Sequence, residues 1–224
     1  MNTLVKGAVS AAVGLVAFGL LLFLPAGTFH YWQAWVFLAV FALASWIPSV
    51  YLMRTNPEAL ERRMRVGPSA ETRPLQRILI TVVFISFPVM FVVSALDHRF
   101  GWSPVPAPVS VIGDVLVAIG LGLAMLVIIQ NSYAAANVTV EAGQQLVSTG
   151  LYGLVRHPMY TGNVILMLGI PLALGSYWGL LLFIPGLVVL ILRIGDEEDL
   201  LTHELSGYRD YTQRVHYRLL PYVW

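Results

Sequence analysis

The sequence predicts an all-α, polytopic integral membrane helical bundle of about six transmembrane segments, and three observations predict it. Of the 224 residues, 58% are hydrophobic and only 11% are charged, against about 45–50% and about 25% in an average soluble domain. The mean hydropathy is +0.75. The apolar residues gather into long runs. Such a chain has too few polar groups to cover a water-facing surface. A formal net charge of +1 argues against a nucleic-acid partner. The absence of Cys excludes a disulfide framework and a thiolate metal site, and no metal is expected.

A spanning helix takes roughly 20 apolar residues, each rising about 1.5 Å, to cross about 30 Å of hydrocarbon. Residues 4–24, 32–53, 75–96 and 109–129 meet that length. Asp114 is the carboxylate of the fourth run, near its start. Two shorter runs, 160–174 and 177–194, flank Gly175-Ser176 and read as a tight helical hairpin whose first arm is interrupted by Pro171. The first run is longer than the 7–15 residues of a signal-peptide core, and little positive charge beyond Lys6 precedes it, so it reads as a retained helix. The whole, residues 1–224, is one membrane domain: a four-helix part, 1–130, and a more polar part, 131–224.

Charge placement orients the bundle, because short cytoplasmic loops collect Lys and Arg. The loop 54–74 holds Arg54, Arg62, Arg63, Arg65 and Arg73 and reads as cytoplasmic. Counting outward, both termini and the loop 130–159 fall on the same side, and the loop 97–108, with Arg99, falls on the other. Trp32, Trp35, Trp46, Trp102 and Trp178 near the span ends read as an aromatic belt. Residues 56–65 form an amphipathic stretch with Glu58 and Arg62 at helical i,i+4 spacing, suited to docking on anionic lipid.

Polar residues gather in the last third, where intramembrane polar groups mark function. The run 137–160 is broken into turns by Gly143, Gly150 and Gly153, and Pro158 is placed to start a helix. Backbone N–H groups of a loop opening into a helix N-terminus suit the polar end of a small ligand. His157, beside that start, reads as a capping or interface histidine or as a ligand contact. Arg193 and Glu197 share a helix face, which by itself predicts an intrahelical salt bridge. Asp196, Glu197, Glu198 and Asp199 would repel a helix C-terminus, so the helix is expected to continue past them; four carboxylates there also suit a cation. Residues 200–211 read as one amphipathic helix, and the cationic and aromatic tail, 214–224, as an interfacial anchor.

The ordered set LVSTGLYGLVRHPMYTG, an apolar hairpin, Arg193-x-x-x-Glu197-Glu198, then GYRDY and RLLP, resembles the isoprenylcysteine carboxyl methyltransferase family, whose C-terminal signature the phospholipid N-methyltransferases share. It covers roughly residues 138–221. The resemblance implies an S-adenosylmethionine site built without a Rossmann sheet, and the chain has no G-x-G-x-x-G after a strand. It further implies that Asn137, Gln144, Gln145, Leu146, Val147, Tyr152, His157, Pro158, Met159, Tyr160, Glu197 and Glu198 bind the cofactor. Residues 131–224 then comprise a cofactor-binding loop, the hairpin and a C-terminal interfacial helix, with the site at the cytoplasmic interface. Arg193 is implied to orient substrate beside Glu197. Gly120 and Gly122 match a G-x-G of the phospholipid enzymes but read first as helix-packing residues.

The implied activity is methyl transfer to a lipophilic acceptor, foremost a carboxylate of the isoprenylcysteine type. A phospholipid amine and a small thiol are the alternatives. Partners would be that small-molecule or lipidated acceptor and membrane lipids. Rival readings are an NADPH-dependent sterol-reductase-like enzyme and a non-catalytic scaffold or transporter. The stretch 56–65 is similar to bacterial members of the group, which implies a bacterial inner membrane with both termini cytoplasmic.

Overall fold

A computed structural model describes residues 3–64 and 66–224, with side chains described from residue 12 onward. Arg65, counted among the loop cations, lies outside the described residues. Among those described there are eight α-helices and no strand: α1 (Thr3–Ala26), α2 (Trp32–Thr55), α3 (Pro57–Met64), α4 (Pro74–Phe100), α5 (Ala107–Gln130), α6 (Pro158–Ala173), α7 (Phe183–Glu204) and α8 (Tyr208–Arg214). Short 3-10 turns cover Pro68–Ala70, Gly150–Gly153 and Trp178–Leu182. Trp32–Thr55, Pro74–Phe100, Ala107–Gln130 and Trp178–Glu204 are long and apolar enough to cross a membrane. Ala12–Ala26 and Pro158–Ala173 add two shorter apolar helices. The chain is an integral membrane protein of the expected all-helical class.

Proline sets several starts. Pro57, Pro74 and Pro158 open α3, α4 and α6, where the missing N–H has no intrahelical partner to lose. The six apolar runs become helices close to their expected bounds, the last entered through a 3-10 turn. The expectation of one helix over 200–211 is corrected. α7 ends at Glu204, and Gly207 adopts φ +81°, a left-handed conformation that glycine takes without a Cβ penalty, before α8 begins. Trp46 is corrected too: it lies in the body of α2, whereas Trp32 opens that helix and Trp102 and Trp178 flank others.

α5 and α6 are the most intimately packed pair, and glycine makes this possible. Gly113 and Gly120 on α5 meet Gly169 and Gly162 on α6. A Cβ on Gly120 would stand 2.7 Å from Gly162 O, and one on Gly169 would stand 2.9 Å from Gly113 O. Small residues let helix backbones approach where lipid supplies no hydrophobic drive. Gly120 is thus a packing residue, while among the described residues nothing lies within 4 Å of a Cβ built on Gly122.

The core lies toward one end, where Leu22, Tyr31, Phe37, Phe91, Val117 and Ile170 pack from five helices. Tyr31 Oη donates to Leu174 O at 2.6 Å. Buried Asp97 accepts from Ser103 N at 2.7 Å and from Ser103 Oγ and Ser176 Oγ at 2.6 Å, tying α4 to the α6–α7 turn. Arg99 reaches Pro25 O at this end, and Arg62, Arg63, Arg73, Arg156, Arg193 and Arg218 collect at the other.

Asp114 on α5 is 5% exposed, and among the described residues both its oxygens lack a hydrogen-bond partner, as does Ser110 Oγ one turn earlier. Burying such groups unpaired costs about 1–3 kcal/mol each. Asp114→Val is therefore expected to raise the thermal unfolding temperature in detergent by several degrees. A fall instead would mean that the carboxyl has a partner.

Candidate functional site

At the arginine-rich end the helices do not close on one another. α3 and the 3-10 turn Pro68–Ala70 hold the loop 131–141 across the opening. Arg62 Nε meets both Glu141 carboxylate oxygens at 3.1 Å, Arg63 Nη1 donates to Ala135 O at 3.3 Å, and Asn137 Nδ2 donates to Ala70 O at 3.2 Å. α3 itself packs on protein, with Ala59 buried beside Leu52 and Ile128 and packed against Met159. Its Glu58–Arg62 pair forms at 3.6 Å. From the other side, Arg156 N and His157 N donate to Tyr217 O and Arg218 O, both at 2.9 Å, so the tail read as a lipid anchor docks on the protein.

Beneath this lid is a cavity of about 350 Å³, within the size range of small-molecule sites. Its upper part is polar and aromatic. Asn137, Gln144, Gln145, Leu146, Val147, Tyr152, His157, Pro158, Met159, Tyr160, Arg193 and Glu197 all line it. The residues implied to bind cofactor are thus brought to one place, with one exception. Glu198 does not line the cavity. It stands 3.1 Å from Arg156 Nε and His157 Nε2 and accepts from Arg218 Nε at 2.9 Å, fastening α7 to the loop and the tail. Below, the cavity continues as an apolar slot between α4, α6 and α7, walled by Ile80, Val83, Phe87, Leu166, Met167 and Val189 among others.

The expected Arg193–Glu197 salt bridge is replaced by a partner from the connector before α4. Arg193 Nη2 meets Glu71 at 2.7 Å and donates to Ala136 O at 2.8 Å. Its Nη1 donates to Gln76 Oε1 at 2.8 Å and its Nε to Tyr160 Oη at 3.1 Å. Tyr160 Oη in turn donates to Glu197 Oε2. Glu71 also accepts from Val138 N at 3.0 Å, so one buried carboxylate holds both α7 and the loop. The carboxylates do not gather around a cation: Arg73 takes Asp196 and Asp199, and no metal-holding group of His and acids exists among the described residues.

Two charges on the cavity stay uncompensated. Glu197 makes no ion pair among the described residues, its only side-chain partner being Tyr160. Arg63 lines the cavity likewise without a carboxylate. Burial lowers the pKa of its guanidinium and the nearby charge of Arg193 adds to this, with Tyr160 opposing. Tyr208, which also lines the cavity, is 3% exposed and its hydroxyl has no partner among the described residues. Burial pushes Tyr152 up to about 12 and Tyr208 well above its ordinary value, so both stay protonated. Glu71, Gln76, Arg63 and Tyr208 were not legible as site residues. Glu71 is one of three acids in a basic loop, and its partner Arg193 lies far along the chain.

Residues 109–207 match the sequence model of the phospholipid methyltransferase family, which bears out the superfamily recognised in the motifs. A Delta(14)-sterol reductase of Mus musculus is 35% identical over 92 residues, 39% of this chain. That match covers 22% of the reductase, so the chain spans about a fifth of the curated relative's length. Among solved structures, a eukaryotic intramembrane Ras methyltransferase, isoprenylcysteine carboxyl methyltransferase, aligns over 100% of this chain and 88% of its own. The TM-score is 0.45 and the identity 17%.

Proposed function

We propose that this chain, which carries the phospholipid methyltransferase pattern over residues 109–207, is a membrane methyltransferase using S-adenosylmethionine. Its acceptor would be lipophilic, foremost a carboxylate of the isoprenylcysteine type, with a phospholipid amine or a small thiol as alternatives on the same geometry. The observation that carries this reading is one cavity joining a polar, aromatic upper chamber to an apolar slot between α4, α6 and α7. A soluble cofactor would enter above and a lipid-borne acceptor below, with the arginine-rich end at the cytoplasm.

The residues present fit such a cofactor. An unpaired carboxylate, Glu197, suits its ammonium or ribose hydroxyls, the orphaned Tyr208 hydroxyl suits a further polar contact, and Tyr152 and Tyr160 offer ring faces to a cationic or aromatic group. When bound, the cofactor supplies a methyl group on a sulfonium, open to in-line attack by a nucleophile about 3–3.5 Å away. The chain's own part is positional. Arg193 pins Tyr160, and Tyr160 holds Glu197 in one rotamer. The loop 131–157 roofs the chamber. An ionised carboxylate acceptor needs no protein base.

Four of the five N–H groups of Arg193 are already committed. Any hold of Arg193 on the acceptor is therefore limited to Tyr160 and a single remaining N–H.

The similarity to a sterol reductase favours NADPH as the second ligand to consider. A 2′-phosphate calls for several cations, whereas here Arg156 and Arg193 face carboxylates, Glu197 is an unpaired anion, and Arg63 alone is left to receive one. Calorimetric titration of the detergent-purified protein with S-adenosylhomocysteine and, separately, NADPH is expected to show binding of the first alone. Glu197→Gln should weaken it on the order of tenfold to a hundredfold, the worth of a hydrogen bond to a charged group. Unchanged affinity would remove Glu197 from the site. Binding of NADPH alone would overturn methyl transfer in favour of the reductase.

A further inference from the structure

Three arginines line the cavity, and the arrangement of acids sorts them. Arg156 stands 3.1 Å from Glu198, and Arg193 stands 2.7 Å from Glu71. Both are balanced by carboxylates of the chain itself. Arg63 is the third. It spends one N–H on Ala135 O, makes no ion pair among the described residues, and faces the cavity. A guanidinium has five donors in a planar fork that matches carboxylate and phosphate oxygens. An arginine partly withdrawn from water and left without an anion costs stability unless a ligand completes it.

Position says which ligand. Arg63 sits on α3, and Val66, just past that helix, lines the same cavity as Ile80 and Val83 at the top of the apolar slot. It thus stands where an apolar molecule lying in the slot would present its polar end. The segment carrying the family pattern, 109–207, does not include it.

We propose that Arg63 is the acceptor-binding residue of this site, receiving the carboxylate or phosphate of a lipophilic anion whose chain occupies the α4–α6–α7 slot. The inference rests on the methyl-transfer reading of the cavity and narrows it. The acceptor is anionic at its polar end, and a neutral lipophile is disfavoured. Arg193, neutralised by Glu71, keeps the chamber in shape, while Arg63 supplies the charge that selects.

The test is calorimetry on the full chain in detergent. The lipophilic carboxylate N-acetyl-S-farnesylcysteine is compared with its uncharged methyl ester, and didecanoyl phosphatidic acid with didecanoylglycerol, each with and without saturating S-adenosylhomocysteine. The wild type is expected to bind at least one anion about tenfold more tightly than its uncharged counterpart, as a charge-assisted pair allows. Arg63→Gln is expected to bring that ratio close to one with an unchanged Kd for S-adenosylhomocysteine, which also shows the variant is folded. Arg63→Lys should keep part of the ratio.

If Arg63→Gln instead weakens S-adenosylhomocysteine and leaves the anion ratio intact, the guanidinium serves the cofactor's own carboxylate and the proposal falls. If neither changes, or if the wild type prefers neither anion, Arg63 only ties α3 to the loop and the proposal falls as well. A wild type that binds no S-adenosylhomocysteine ends the methyl-transfer reading, and the anion arms run without it still decide Arg63.

Discussion

Glu71→Ala is expected to cost about 3–5 kcal/mol of stability, enough to leave little folded protein at growth temperature. Glu71 has 1% of its side-chain surface exposed, and its partner Arg193 has 8%. Removing the carboxylate strands a guanidinium in a dry place and orphans Val138 N, which Glu71 also accepts. The loss is therefore larger than the worth of the pair itself. Thermal unfolding in detergent checks it, with two controls. Glu71→Gln keeps an acceptor for Val138 N and should lose less. Glu71→Leu combined with Arg193→Met removes both charges and should regain much of the stability, since a buried ion pair replaced by apolar side chains is often neutral. That double variant should still be inactive, because Tyr160 loses the group that pins it. A loss below about 1 kcal/mol for Glu71→Ala would mean the pair is solvated, as surface pairs are.

Gly113→Ala is the second large effect. The added Cβ would overlap Ala173 N and stand 2.6 Å from the carbonyl carbon of Leu172, and both are backbone atoms of α6 that no rotamer change moves aside. Overpacking costs about 1–3 kcal/mol where side chains can give way, and a clash with backbone belongs at or beyond the upper end. Unfolding temperature and S-adenosylhomocysteine affinity should fall together, because the loop 131–157 begins where α5 ends and finishes where α6 starts. Gly122→Ala on the same helix has nothing within 4 Å and is expected to be neutral or to gain up to about 1 kcal/mol from helix propensity. Equal stability of the two variants would show that the seam is looser than described.

The helices were legible because membrane insertion rests on long apolar runs, a property of consecutive residues. The same holds for most of the chamber, since Gln144 to Val147 on the loop and His157 to Tyr160 at the start of α6 are short stretches whose local order survives folding. Sequence periodicity failed where distant chain segments compete. The i,i+4 spacing of Arg193 and Glu197 predicts a bond, but Glu71, from the connector before α4, outcompetes Glu197 for the guanidinium. It failed again at Gly207, where the amphipathic pattern runs on while the backbone turns. Glu198 shows a third limit: neighbouring carboxylates on a helix point about 100° apart, so an adjacent pair of acids divides between chamber and scaffold.

The glycine seam has one more consequence, a mechanical one. α6 has 16 residues, roughly 24 Å at about 1.5 Å each, short of the about 30 Å of an average hydrocarbon layer. Because α6 is locked to the longer α5, it cannot adjust to bilayer thickness alone, and the two tilt as one lever. The fulcrum lies along the membrane-buried glycines, and the arm ends at the loop that roofs the chamber. Thickening or thinning the bilayer is therefore expected to bear on the geometry of the cavity mouth.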